Sequence, residues 1–267
     1  MRNLCTSDRT HLLPAFRARL HGYGQRKAAA LFFPRHFRIT TERPVVSFTF
    51  DDFPRSALLT GGAILRRFGV RGTYYASFGL MGTTAPTGQM FTVDDLNILL
   101  DQKHEIGCHT YDHCDSWETD SKLFKRSIIE NQLALRKAVS NAAFKTFSYP
   151  ISPPRPWTKR LAGKQFACCR GSGQTFNAGE ADLSYLRACF LEQTMENKRT
   201  IEDLIDRNRE ARGWLIFATH DVDRHHTRFG CTPDFFEYVV QCAVNSGARI
   251  LPMIEALELL RTLNPQR

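Results

Sequence analysis

Two adjacent carboxylates, Asp51 and Asp52, directly follow the apolar run Val45–Phe50. Neighbouring like charges repel each other, and burial strengthens that repulsion. A divalent metal resolves the conflict, because one carboxylate can bind the metal while the other acts as a base toward water. The structural alternative is a pair of helix-capping acids before Pro54, since acids are common near helix starts.

Two histidines, His109 and His113, follow a second apolar segment, residues 105–108. Two histidines four residues apart on a turn of helix present both imidazoles to one point, as a metal requires. Imidazole combined with carboxylate suits zinc, and also cobalt, nickel or iron. An isolated pair of this kind is a weak signal, but it gains weight beside an Asp-Asp pair that ends another predicted strand.

A third imidazole, His220, ends the apolar run Trp214–Thr219. A lone histidine in such a place can be a structural residue with satisfied hydrogen bonds. A histidine at the same rim as the other two groups is better explained as an acid or a base.

The segments that must position these groups alternate between short β runs and helical patterns. The predicted strands are 45–50, 72–76, 105–108, 145–149, 166–170, 186–191, 214–219 and 249–251, and the predicted helices include 58–68, 123–139, 233–244 and 253–262. A further helix is predicted to begin with a capping box of Thr92 and Asp95. The alternation predicts a largely parallel sheet, and seven or eight units predict an α/β barrel. Chemistry in such a barrel belongs at the C-terminal ends of the strands, where all three polar groups fall.

Three blocks carry a specific resemblance: FTFDD at 48–52, HEIGCHTYDH at 104–113 and LIFATH at 215–220. They resemble, in order and spacing, the signature blocks of the polysaccharide deacetylase family, the NodB-like domain of carbohydrate esterase family 4. The resemblance covers about residues 44–262 and implies a distorted (β/α)7 barrel. It also implies a metal-dependent hydrolase that removes an acetyl group from an N-acetylated or O-acetylated sugar, here expected to be a glycan precursor.

The resemblance also implies roles for individual residues. By position, Asp51 resembles the general base and His220 the general acid. The residues that resemble the metal triad are Asp52, His109 and His113, and Zn²⁺ is the expected metal, with Co²⁺, Ni²⁺ and Fe²⁺ as alternatives. Thr110 occupies the Ser/Thr position after the first histidine and is expected to orient the loop by hydrogen bonding.

The third block departs from the family pattern. The sequence FSYPI at 147–151 places Ser148 where the family commonly has the arginine that orients the base. Either another cation holds Asp51 or Asp51 is less well held. Arg187 is the predicted candidate for that cation, with a surface charge as the alternative. The fourth block, which supplies an acid that supports the acid histidine, has only Asp182 as a candidate.

The same block retains two residues with expected roles in substrate binding. The backbone N–H of Ile151 is predicted to donate to the oxyanion, and Tyr149 is expected beside it. Because of the departures, two alternatives stay open. The chain could be a catalytically impaired family member that binds metal or glycan, or a member that hydrolyses another non-peptide C–N bond.

Charge is concentrated at the start of the chain. The formal net charge is +9, and residues 1–43 hold nine arginine or lysine residues against two acids. No zinc-finger, RRM or helix-turn-helix pattern accompanies them, so a solvated basic surface is favoured over specific nucleic-acid binding. The predicted organisation is a basic N-terminal extension at 1–43, a deacetylase domain at 44–262 and a tail at 263–267.

Location is predicted from what the chain lacks. The first 43 residues contain no uninterrupted apolar core of a signal peptide, and no run approaches the roughly 18–20 apolar residues that span a bilayer. Eight scattered cysteines fit a reducing compartment. The expectation is a cytoplasmic protein of unassigned oligomeric state whose basic N-terminus can contact a membrane peripherally.

Overall fold

A computed structural model describes residues 12–264 of the chain, with side chains from residue 22 onward. Arg2 and Arg9 of the predicted extension and residues 265–267 of the predicted tail lie outside the described residues. The helices are α1 (Leu12–Leu31), α2 (Ala63–Arg67), α3 (Val93–Asp101), α4 (Ser121–Ala138), α5 (Pro156–Gln165), α6 (Lys198–Glu210), α7 (Pro233–Asn245) and α8 (Met253–Leu263). The strands are β1 (His36–Ile39), β2 (Val45–Phe50), β3 (Thr73–Ala76), β4 (Thr84–Ala85), β5 (Gly88–Gln89), β6 (Glu105–Cys108), β7 (Thr146–Ser148), β8 (Cys168–Arg170), β9 (Gly179–Asp182), β10 (Cys189–Phe190), β11 (Trp214–Thr219) and β12 (Arg249–Ile250).

The central sheet is parallel and follows the order β10-β11-β2-β3-β6-β7-β8, with β12 also paired to β2. A single bridge between Arg170 and Leu186 joins β8 to the segment that leads into β10. The strands curl into a half-barrel, which confirms the predicted distorted (β/α)7 barrel. Because the strands run in parallel, their C-terminal ends meet at one rim.

The core explains why β2 lies at the centre of the sheet. All six of its residues are buried, as expected for a parallel strand that is covered on both faces. The ring of Phe48 stacks on Phe217 of β11 with centroids 5.6 Å apart, and Phe50 stacks on Tyr74 of β3 at 4.6 Å. Each fully buried aromatic side chain contributes about 1.5–3 kcal/mol, so these contacts fix the strand that carries the two carboxylates.

The predicted helix at 58–68 begins differently in the structure. A π-helical segment, Ala57–Gly62, precedes α2. A Cβ at Gly61 would come within 3.0 Å of the Phe50 ring, and one at Gly62 within 2.9 Å of the Tyr74 hydroxyl. The two glycines therefore let the wide turn lie directly on the rings of β2 and β3.

Two other predicted elements are settled by the structure. The capping box of Thr92 and Asp95 is present at the start of α3. The strand predicted at 186–191 is shorter and spans only Cys189–Phe190, because Leu186 pairs instead with the end of β8.

The described part of residues 1–43 packs against the barrel. Strand β1 pairs antiparallel with β9, and α1 contacts α5. The link between α1 and α5 is Lys159, which is fully buried, donates to the carbonyl of Ala29 at 2.6 Å and forms an ion pair with Asp182 at 2.5 Å. The domain boundaries at 43 and 262 stay predictions.

Replacing Lys159 with methionine should lower the free energy of unfolding by about 2–4 kcal/mol, because Asp182 loses its partner and α1 its anchor. The matched control is Lys164→Met, which changes an exposed lysine of the same helix and should cost less than about 0.5 kcal/mol. Urea unfolding of the two variants and the wild type measures the difference. Equal midpoints for the two variants would show that the buried ion pair does not stabilise the fold.

Candidate active site

Strand β2 ends in a strained turn that presents the two carboxylates. The N–H of Asp51 donates to the carbonyl of Thr219 at 2.9 Å and so continues the pairing with β11. The next two residues, Asp52 and Phe53, have φ values of 62° and 61°. This left-handed backbone is costly for residues other than glycine, by about 1–3 kcal/mol each, and is held only where the surroundings impose it.

The structure brings Asp52, His109 and His113 together. Nε2 of His113 lies 3.0 Å and Nε2 of His109 lies 3.4 Å from Oδ1 of Asp52. The candidate ligand atoms of the three residues all lie within 4.8 Å of one another. Oδ1 of Asp52 is buried and accepts no hydrogen bond of normal geometry, so the two imidazoles are what face it.

The two histidines do not sit on a helical turn, which corrects the prediction of how they converge. Residues 109–113 form a loop after β6, in which Thr110 and His113 have φ values of 60° and 52°. The hydroxyl of Thr110 accepts from the N–H of Cys114 at 2.9 Å and closes this loop. The left-handed residues turn the chain back on itself, so the second imidazole returns toward the first.

Neighbouring groups orient the three residues. Nδ1 of His109 donates to the carbonyl of Ser148 at 2.9 Å, which leaves Nε2 as the free nitrogen toward Asp52. The hydroxyl of Thr87 donates to Oδ2 of Asp52 at 2.9 Å. Partners of this kind fix the direction of metal ligands. Thr87 lies between β4 and β5, 35 residues from Asp52 along the chain, and no sequence pattern indicated it.

Charge states in this group suit a cation. Burial alone would raise the pKa of Asp52, but the neighbouring imidazole of His113 holds that pKa well below its usual value. Burial lowers the pKa of His109 to about 4, so its Nε2 carries a lone pair at neutral pH. One anionic oxygen and two imidazole nitrogens are therefore consistent with a divalent metal site.

Arg170 holds Asp51. It comes from the end of β8, is 1% exposed, and donates through Nη2 to Oδ1 of Asp51. Ser148 donates to the same oxygen at 3.3 Å. Burial raises the pKa of Asp51, but the charge of Arg170 outweighs it together with the nearby histidines, so the net shift is downward. Asp51 is thus an ionised carboxylate in a place nearly closed to water.

The position of Arg170 corrects the prediction of Arg187. The guanidinium of Arg170 lies over the rings of Tyr75 and Phe190, with centroid distances of 5.1 and 5.3 Å. Arg187 instead lines a separate cavity of about 460 Å³ beside β9, where its backbone N–H bonds the side chain of Asn177. The sequence does contain an indication of this role, because Arg170 ends a predicted strand as the other polar groups do.

Asp182, the candidate for the acid that supports His220, also lies outside the cleft. It pairs with Lys159 and accepts from the backbone N–H groups of Arg35 and Ser184, both at 2.8 Å. Besides the aspartates, the cleft that contains His220 is lined by Glu192, which lies in the short turn after β10. Burial raises the pKa of Glu192 to about 7, and the charge of His220 opposes this shift.

His220 lies in the same cleft. Its Nδ1 lies 3.1 Å from the carbonyl of Phe229, to which it can only donate, so Nε2 is free. The rings of Phe190 and Phe229 lie 6.2 and 5.5 Å from the imidazole. Asp221 accepts from the N–H and hydroxyl of Thr227, both at 2.7 Å, and so fixes the loop that supplies Phe229.

One cleft of about 680 Å³ is lined by these residues: Asp51, Asp52, His109, His113, Arg170, Glu192 and His220, together with Tyr149 and Ile151. Ile151 has a φ of 63°, which is unusual for a β-branched residue, and 71% of it is exposed. Among the described residues its N–H has no hydrogen-bond acceptor. The hydroxyl of Tyr149 donates to the carbonyl of Ser184 at 3.0 Å and anchors the start of this segment.

Comparisons with known proteins bear on the family and the fold of this chain. The family model for polysaccharide deacetylase matches residues 38–163. A chitin deacetylase from Colletotrichum lindemuthianum is 18% identical with a TM-score of 0.59, over 82% of this chain and 89% of that one. A family 4 acetyl xylan esterase from Clostridium thermocellum, solved with a cobalt ion, is 18% identical with a TM-score of 0.56, over 84% and 93% of the two chains.

A CE4 family pseudoenzyme from Bacillus anthracis is also similar, at 12% identity and a TM-score of 0.55, over 82% of this chain and 66% of that one. No curated protein sequence matches the chain. At these identities the solved structures show the fold, and the chemistry must be argued from the residues themselves.

Replacing Thr87 with valine should weaken the binding of Zn²⁺ or Co²⁺ by about tenfold, because Oδ2 of Asp52 loses its donor while the side-chain volume is kept. Titration calorimetry of the metal-free protein measures the affinity. The control is Thr84→Val, an exposed threonine of the same hairpin, which should leave affinity unchanged. Full affinity in Thr87→Val would show that this hydroxyl does not orient the ligand.

Proposed function

The chain belongs to the polysaccharide deacetylase family, and from that premise we propose that it is a metal-dependent hydrolase that removes an acetyl group from an N-acetylated or O-acetylated sugar. The observation that carries the proposal is the meeting of an ionised, arginine-held Asp51 with the Asp52, His109 and His113 group in one cleft. A carboxylate base beside a metal site is the combination that metal-assisted hydrolysis requires.

Asp52, His109 and His113 would hold the divalent cation. We propose Zn²⁺, and Co²⁺, Ni²⁺ or Fe²⁺ suit the same ligands. When bound, the cation polarises the acetyl carbonyl and lowers the pKa of water. Binding would also satisfy Oδ1 of Asp52, which has no hydrogen bond of its own.

Asp51 acts as the general base. Its carboxylate accepts a proton from the water that attacks the acetyl carbonyl carbon, and Arg170 keeps the carboxylate both charged and oriented during that step. The N–H of Ile151 donates to the carbonyl oxygen as negative charge develops on it. Tyr149, held through its hydroxyl, keeps the segment of Ile151 at the cleft wall.

His220 acts as the general acid. Because Nδ1 is bound to the carbonyl of Phe229, Nε2 carries the proton that passes to the leaving nitrogen or oxygen of the sugar. The bond between the acetyl carbon and that atom then breaks, and acetate and the deacetylated sugar are released. Glu192 lies in the same cleft.

The contact between Arg170 and Asp51 favours catalysis over a role restricted to binding metal or glycan. That alternative arose because Ser148 replaces the common arginine, and a cation from another strand supplies the missing charge. Hydrolysis of another non-peptide C–N bond remains the alternative that a substrate panel distinguishes. A glycan precursor as substrate rests on the predicted cytoplasmic location.

Replacing Asp51 with asparagine should lower kcat by about 10²–10⁴-fold, because the base is lost. Acetate release from N- and O-acetylated sugars, including lipid-linked ones, measures activity. Metal analysis of the same samples should show that Asp51→Asn still binds metal, whereas Asp52→Asn does not. A wild type that binds metal stoichiometrically yet releases no acetate across the panel would contradict the proposed reaction.

Replacing Arg170 with methionine should lower kcat by about tenfold to a hundredfold, because Asp51 loses its orientation. Arg170 lowers the pKa of Asp51, so its loss raises that pKa, and the acidic limb of kcat/KM should move to higher pH. The pH profile of acetate release is the measurement. Arg187→Met is the matched control and should leave the acidic limb in place; the same shift in both variants would show that Arg170 has no specific role.

A further inference from the structure

The surface where α1 meets α5 carries an unusual set of exposed apolar side chains. At the end of α1, the exposed fractions are 71% for Leu31, 50% for Phe32 and 44% for Phe33, and on α5 the fraction for Trp157 is 52%. Tyr23, which precedes Leu31 by eight residues on α1, is 55% exposed. A cluster of this kind on a soluble domain marks a surface that binds something.

These side chains form one continuous face. The guanidinium of Arg160 lies 5.2 Å from the ring centroid of Phe33 and 5.6 Å from that of Trp157, so it joins α1 to α5. Tyr23, Lys27 and Leu31 follow at four-residue spacing and share one side of α1. We call these seven residues the α1–α5 face: Tyr23, Lys27, Leu31, Phe32, Phe33, Trp157 and Arg160.

Phe33 has an unfavourable backbone conformation. It follows the end of α1 with a φ of 50°, a place where glycine is the usual residue because it tolerates left-handed backbone. A phenylalanine there costs conformational energy and leaves its ring half exposed. Packing within the domain does not explain an exposed phenylalanine at this position. A surface that inserts aromatic rings into a partner does explain it.

The charges around the face are of one sign. Residues 22–41, which include the part of α1 with described side chains, hold four arginine or lysine residues and no acid. Residues 141–179, which include α5, hold no acid and four arginine or lysine residues besides the buried and paired Lys159 and Arg170. The nearest acids along β9 are already paired, Glu180 with His36 and Asp182 with Lys159. The α1–α5 face therefore presents exposed aromatic and aliphatic side chains surrounded by basic residues.

We propose that the α1–α5 face binds the surface of a bilayer that contains anionic lipid. Tryptophan, tyrosine and phenylalanine suit the boundary between headgroups and acyl chains, while Lys27 and Arg160 suit the phosphates above it. Among the described residues no helix is long and apolar enough to cross a membrane. Helix α5 begins directly after residues 151–153, which line the catalytic cleft, so the contact brings the cleft close to substrates held at the membrane.

Sedimentation with vesicles tests the proposal without any need for hydrolytic activity. The purified full chain should bind equimolar phosphatidylglycerol and phosphatidylcholine, bind pure phosphatidylcholine much less, and be released by salt. The variant Leu31→Ser/Phe32→Ser/Trp157→Ser should bind the anionic vesicles at least about tenfold more weakly. The control Leu123→Ser/Leu133→Ser removes similarly exposed side chains from α4 and should bind as the wild type does.

A second variant, Lys27→Gln/Arg160→Gln, should lose the preference for anionic vesicles while it keeps its melting temperature. The proposal is overturned if the wild type does not bind anionic vesicles, or if the triple variant binds them as the wild type does. It is also overturned if the α4 control loses as much binding as the triple variant. A wild type that forms dimers which the triple variant abolishes, with no vesicle binding, would assign the face to contact between copies of the chain.

Discussion

Two adjacent carboxylates remain charged in a place nearly closed to water, and the arrangement around them follows from that constraint. Removing one ionised carboxylate from water costs several kcal/mol, and a neighbouring like charge adds to the cost. The structure supplies a different partner to each. Arg170 neutralises Asp51 through a direct contact, and two imidazoles face Asp52. The proposed base and the proposed metal ligand thus have different chemical surroundings although they are consecutive in sequence.

The parallel sheet is what allows those partners to meet. Arg170, His109 and Asp51 end or follow three different strands whose C-terminal ends share one rim. The bridge from Arg170 to Leu186 sets the path of the next segment, which delivers the ring of Phe190 against Arg170 and the carboxyl of Glu192 into the cleft. Since the pKa of Glu192 is about 7, its charge changes near neutral pH. The negative charge of Asp51 contributes to the raised pKa of Glu192, so these two carboxyl groups in the cleft are electrostatically coupled.

Much of the site was predictable because its residues are signalled locally. Asp51, Asp52, His109, His113 and His220 each follow an apolar run, and the alternation of strands and helices predicted their meeting at the rim. Arg170 was missed because the sequence does not give strand register, and the choice between arginines on neighbouring segments depends on it. Thr87 was missed because it belongs to a two-residue hairpin without periodicity. The sequence predicts a helical turn at 109–113 instead of the observed loop. The left-handed residues Thr110 and His113 are not glycines, so no residue type in this segment indicates left-handed backbone.

That left-handed backbone is itself an argument about function. Ten described non-glycine residues have a positive φ. Three of them, Asp52, His113 and Ile151, line the cleft, and two more, Phe53 and Thr110, are sequence neighbours of residues that line it. At about 1–3 kcal/mol each, their combined cost is comparable to the whole stability of a typical domain, so the surrounding packing must impose them. Every one belongs to, or adjoins, a residue with a proposed chemical role. Relaxing these turns would stabilise the fold but would disperse the ligand atoms that now lie within 4.8 Å of one another, which is the relation expected of a site kept for its chemistry.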